Sequence, residues 1–138
     1  MSEKSIIKKS ESILSAKSIY IEEMSFSRNE HNGNMVRFNE SALSKSVDMI
    51  DENLYKCSLE LEMSSESEDA KLQVKVSGIF SIETLIDEDL KMVLVTKNTM
   101  AILFPYLRTQ VTLLTAQPNV ETVVLPPVNI NALLENMK

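Results

Sequence analysis

Cysteine, glycine and histidine are nearly missing from this chain of 138 residues, which has one, two and one of them, and tryptophan is absent altogether. Each scarcity excludes a kind of chemistry. A lone Cys57 can close no internal disulfide, and with His31 as its only histidine partner there is no Cys/His spacing of the kind that holds zinc. Cys57 therefore reads as a small apolar residue in a strand, and His31, beside the Asn32-Gly33 turn signal, as a loop residue at the surface. Nucleophilic catalysis needs a Ser or Cys served by an oriented base, and no such set exists. Two isolated glycines, Gly33 and Gly78, cannot build a loop that cradles phosphate, so nucleotide hydrolysis and bound cofactors are not expected. Glu60 and Glu62 alternate with apolar residues and read as a solvated strand face rather than an acid/base pair. The chain is not expected to be an enzyme.

No apolar run approaches the roughly 18 residues that would span a bilayer. Residues 1–12, MSEKSIIKKSES, are polar, lack the apolar core of an export signal, and are expected to be loose. Membrane insertion is thus not expected, and the cytoplasm is the expected location. Basic charge is also short, with 14 Lys and Arg against 20 Asp and Glu for a net charge of −6. A nucleic-acid backbone needs clustered cations to displace its counterions, so no nucleic-acid partner is expected.

What is present is one domain's worth of apolar periodicity, placed at 13–138. From Ile13 a first strand is expected, but Ile19 and Ile21 share one parity and Met24 and Phe26 the other. One extra residue causes such a switch, which predicts a β-bulge near Glu22. Residues 28–51 show no clean period and are read as a crossover loop with apolar content at Met35, Val36, Phe38, Leu43 and Val47. Next, Tyr55, Cys57, Leu59, Leu61 and Met63 alternate with polar residues, as do Ala70, Leu72, Val74 and Val76. Period two with one polar face predicts an antiparallel hairpin, turning through the polar 65–69 segment. The alternation runs on past Gly78, where a bend or a close backbone approach is expected, to Phe80 and Ile82. A short helix is expected to start near Asp87.

The segment that organises the rest is a helix expected over 100–116. Met100, Leu103, Leu107, Val111 and Leu114 form one apolar stripe, and Ile102, Tyr106 and Leu113 form a second on nearly the opposite side. A single sheet can cover only one stripe, so the second predicts another copy of the chain against it. Pro105 predicts a kink or a helix start nearby, with Asn98 or Thr99 as cap, and Gln117-Pro118 ends the helix. Residues 120–125 read as a short β-run, and Asn131 is expected to cap a last helix over 132–137. The fold class is α+β, with a four-stranded antiparallel sheet against one long and one short helix.

Four separated motifs also carry a resemblance. Ile102-Leu103-Phe104-Pro105-Tyr106-x-Arg108, then Pro127-Val128-Asn129-x-x-Ala132-Leu133, with Gly78-Ile79-Phe80-Ser81-Ile82 and 19–26 upstream, resemble the SecB protein-export chaperones in order and spacing. Gly78 to Ile82 matches that family's third-strand end. The resemblance implies an ATP-independent holdase that binds unfolded preproteins in apolar grooves and passes them to the SecA ATPase, assembled as a homotetramer, a dimer of dimers joined by the helix layer. Client-groove residues expected on this basis are Met35, Val36, Phe38, Phe80, Ile82, Leu133 and Leu134, with Ile102, Tyr106 and Leu113 at the oligomer interface. Phe38→Ala and Phe80→Asp are then expected to weaken client binding while leaving the oligomer intact.

Glu23 matches one position of the family's acidic SecA-docking patch. Ser27 and Gln73 stand where other members carry carboxylates, and Lys71 where an apolar residue is usual. These departures fit equally well a SecB-like chaperone dedicated to an antitoxin, and a reading of a different class is an adaptor subunit whose two helix stripes both bind a fixed folded protein.

Overall fold

The structure is a computed structural model that describes residues 13–29, 33–83 and 86–136, so 1–12 and His31 lie outside the described residues. Four antiparallel strands, β1 (Leu14–Arg28), β2 (Phe38–Asp51), β3 (Leu54–Ser65) and β4 (Ala70–Ile82), form one sheet in the order β1-β4-β3-β2. Helix α1 (Glu88–Val93), a wide π-turn (Leu94–Asn98) and helix α2 (Thr99–Thr115) follow without a break and make one long rod against the sheet. A short helix α3 (Ile130–Asn136) completes the second layer. The α+β plan of sheet, long helix and short helix is therefore the one expected.

Alternation along β3 and β4 decides the layering. Cys57, Leu59, Leu72, Val74, Val76 and Phe80 are wholly or almost wholly buried on the helix side, where they meet Met100, Leu103, Leu107 and Val111. Each large apolar side chain removed from water in this way contributes about 1.5–3 kcal/mol before the cost of ordering the chain. The first predicted stripe of the rod is thus the one that covers the sheet. On the other face, Ser58 and Ser77 lie opposite each other and share a hydrogen bond of 2.7 Å, which satisfies two buried hydroxyls. The β1–β4 register shifts between Ile21 and Glu23, at the expected bulge, and again between Ala16 and Ser18.

The π-turn widens the rod by one residue. Side chains bond the carbonyls along it. The Thr99 hydroxyl donates to the Val95 carbonyl at 2.6 Å, and the Cys57 thiol donates to the same oxygen at 3.6 Å. Lys45 Nζ donates to the Thr96 carbonyl at 3.2 Å and Asn131 Nδ2 to that of Lys97 at 3.1 Å. One irregular turn thereby ties the rod to β2, β3 and α3 together.

Five expectations are corrected. Residues 38–51 are not a loop but the edge strand β2, whose helix-facing positions Leu43, Lys45 and Val47 include a lysine that hides the alternation. In consequence Gly78 to Ile82 end the fourth strand, not the third. Pro105 lies well inside the rod, which starts at Glu88, so Asn98 and Thr99 are already helical and cap nothing. Residues 120–125 form no strand, only a single parallel bridge of Val120 with Val36, because Pro126-Pro127 follow and the backbone bonds go elsewhere. Asn129, not Asn131, caps α3, its Oδ1 accepting from the backbone N–H of Asn131 at 3.1 Å and Ala132 at 3.2 Å.

Candidate polypeptide-binding groove

Between the β2–β3 edge of the sheet and the rod lies an open, mainly apolar cavity of about 210 Å³. Leu43 and Met63 form its sheet wall, Phe104 and Leu107 its floor, and Leu125, Val128 and Leu133 its outer wall. The cavity exists because the edge strand carries one leucine, at Leu43, where β3 carries several, so the rod is not fully covered there.

The outer wall is an extended strap, residues 121–129, that crosses the rod without joining the sheet. It is anchored at one end where Val36 N–H donates to the Asn119 carbonyl and Glu121 N–H to the Val36 carbonyl, both at 2.8 Å, beside an Arg37–Glu121 ion pair at 3.1 Å. Over the rod its bonds come from side chains. Arg108 Nε–H donates to the Leu125 carbonyl at 2.8 Å, the Thr112 hydroxyl donates to the Val123 carbonyl at 2.9 Å, and Thr115 Oγ1 accepts from Val123 N–H at 2.9 Å. Leu133, which is 37% exposed, is the one expected groove residue on this cavity.

The other expected groove residues lie in two places. Phe80, Ile82 and Leu134 are buried in the main core behind the groove. Val36 is buried in a separate small cluster with Ala70 and Val120, at the end of the molecule where the β1–β2 connection meets the β3–β4 turn. Phe38 packs against this cluster, its ring edge-on to Phe26 at 5.9 Å between centroids, and Met35 beside it is 52% exposed. Leu43, Met63, Leu125 and Val128 were not foreseen as groove residues. The signal for Leu43 was its two-residue step to Lys45 and then Val47, and Val128 stands within the Pro127-Val128-Asn129 motif itself.

The second stripe of the rod faces away from the sheet and is uncovered in the single chain, with Tyr106 at 50% and Leu113 at 62% exposure, and Val124 of the strap at 69% near Leu113. The outer sheet face carries the expected acidic position, Glu23, and three of its carboxylates, Glu22, Glu23 and Glu60, are hydrogen-bonded. Gln73 Nε2 donates to Glu23 at 3.0 Å and to Glu60 at 2.9 Å. Glu22, in the bulge, is hydrogen-bonded to Lys56 and paired with Lys75 at 2.9 Å. The Lys56 and Lys75 ammonium groups hold the Glu22 carboxyl down at about 2, and Glu22 in turn raises both lysines. Burial pushes the Cys57 thiol up, away from the reactive thiolate form. Among the described residues no group of three or more His, Cys, Asp and Glu could hold a metal ion, and no helix is long and apolar enough to cross a membrane.

"Uncharacterized protein MJ0357" of Methanocaldococcus jannaschii is 38% identical over 68 residues, 49% of this chain and 43% of its own, so the chain spans less than half the length of that relative. The fold is similar to that of Rv1957 of Mycobacterium tuberculosis, a SecB-like chaperone solved in complex with a ChAD peptide from the HigA1 antitoxin, with a TM-score of 0.67 at 11% identity over 91% of this chain and 94% of that one. A Streptococcus agalactiae protein of unknown function aligns with a TM-score of 0.47 at 13% identity, over 82% and 96% of the two chains. Residues 8–138 match the family described as "Preprotein translocase subunit SecB". The chain belongs to the SecB family, whose members are chaperones and not enzymes.

Proposed function

We propose that residues 13–138 act as an ATP-independent holdase that receives extended apolar segments of unfolded preproteins in the groove between β2, the rod and the strap, and passes them to SecA. The observation that carries this reading is the open apolar groove itself, walled by Leu43, Met63, Leu125, Val128 and Leu133. An extended segment advances about 3.3 Å per residue, so such a groove takes alternate side chains with little demand on sequence. Without an energy source, a holdase shifts its client only by binding the unfolded state. Assembly as a homotetramer, a dimer of dimers through Ile102, Tyr106 and Leu113, would join separate weak grooves and raise avidity with no new contacts. The expected place of action is the cytoplasm, where preproteins are met before export.

Occupation of Glu22, Glu23 and Glu60 on the outer face by Lys56, Lys75 and Gln73 supports a second reading, in which the client is one antitoxin and SecA is not the receiver. The fold neighbour solved with an antitoxin peptide is consistent with this. Binding assays with a reduced, permanently unfolded model protein and with purified SecA separate the two. A preprotein holdase binds both. A dedicated antitoxin chaperone binds neither, and a protein that ignores every unfolded chain offered is no holdase.

A further inference from the structure

Three of the bonds that hold the strap over the rod come from a polar stripe, Arg108, Thr112 and Thr115, spaced at i, i+4 and i+7 and so aligned on one side of α2, between its two apolar stripes. The strap needs them. Between the Glu121 N–H bond to Val36 and the Val128 N–H bond to Pro126, among the described residues no backbone-to-backbone bond joins the strap to the sheet or the rod. Pro126 and Pro127 have no N–H to offer one. Packing holds the strap weakly as well. The groove of about 210 Å³ lies on its inner side, and a second hollow of about 270 Å³, bordered by Thr109, Leu113 and Val124, lies on its outer side. A segment with empty space on two sides and few backbone bonds opens at lower cost than the ladders around it.

We propose that Arg108, Thr112 and Thr115 are positioning residues that fix the strap as a removable wall, and that release of the strap from this stripe, with sheet and rod unmoved, admits a client segment to the groove. The proposal rests on the groove reading above. Thr112 and Thr115 hold both polar groups of Val123, and Arg108 holds the carbonyl of Leu125, a side chain that lines the groove. Losing either donor therefore frees the wall at the point where it meets the client. The ends stay fixed, by the Val36 bridge on one side and the Asn129 cap on the other.

The test uses the full chain with Arg108→Met and Thr112→Val, which keep bulk and remove a donor, and Thr112→Ser, which keeps the hydroxyl. Hydrogen exchange reads the amides of 122–125, and stopped-flow reads association and dissociation of labelled, reduced and alkylated α-lactalbumin. The expected result is about tenfold faster strap exchange in the first two variants. Both client rates rise with it, and Thr112→Ser restores wild-type behaviour. A general loss of packing would instead speed exchange in β3 and β4 and lower the melting temperature, which would overturn a positioning role. Unchanged client kinetics with a freed strap would overturn the gate alone, whereas failure of the unaltered protein to bind the probe would overturn the groove reading beneath it.

Discussion

Phe80 lies over Gly78: a β-carbon built on the glycine would stand 2.6 Å from Cε2 of the ring, 2.9 Å from Cζ, and 3.2 Å from a methyl of Leu103. The two residues share the helix-facing side of β4, and the missing side chain is what lets the Phe80 ring fold back along its own strand. Phe80 is wholly buried, so its ring has nowhere to retreat. Gly78→Ala is expected to lower stability by about 1–3 kcal/mol through overpacking, read as a shift of the denaturant midpoint at constant slope.

Groove contacts and core contacts should respond differently to substitution. Val128→Asp and Leu133→Asp place a charge on half-open walls of the groove and are expected to weaken binding of an unfolded client about tenfold or more while the melting temperature moves little. Phe80→Asp would bury an unpaired carboxylate and is expected to unfold the chain instead. Phe38→Ala should cost on the order of 2 kcal/mol of stability, because the ring is packed against Phe26. Titration of a labelled client beside thermal melts distinguishes the two sets, and equal loss of binding by all four at unchanged stability would contradict the assignment.

Tyr106→Asp tests the uncovered stripe. The side chain is half exposed, so a lone chain should tolerate the charge, whereas an assembly that buries it should fall apart. Sedimentation velocity is expected to give a tetramer for the wild type and smaller species for the variant, with unchanged circular dichroism.

Glu22 sets a pH dependence whose sign is fixed. Its carboxyl sits at about 2 in the fold against an ordinary value of 4.5, so the unfolded chain binds the proton more readily. The stabilisation is complete above 4.5 and is lost as the pH falls from there towards 2. Glu22→Gln removes it, so the variant is expected to be less stable than wild type at pH 7 and to converge with it below pH 3, in urea melts taken across that range. The bridge is partly open to water, which keeps the effect modest and lowers it further in high salt.

Layering was readable wherever one face of an element is apolar without interruption. Tyr55 to Met63, Ala70 to Val76 and the first stripe from Met100 to Val111 each declare their buried side by spacing alone, and the parity change at Glu22 declared its bulge. Strand β2 escaped notice because Lys45 occupies a helix-facing position, satisfied by the Thr96 carbonyl, a partner visible only in three dimensions. The cavity was less legible. Of the residues expected to form a groove only Leu133 lines it, Val36 and Phe38 pack in a separate cluster, and Phe80 and Ile82 could be sorted into core only once the rod was seen above them. The strap carries no period at all, since its backbone is held by Arg108, Thr112 and Thr115 rather than by a ladder.

The thiol of Cys57, sealed under the π-turn and bonded to the Val95 carbonyl, gives the molecule a built-in clock. A maleimide can reach that sulfur only when rod and sheet part, so its labelling rate counts those separations directly. A guest that enters by displacing the strap should leave the count unchanged, and one that pries the two layers apart should quicken it.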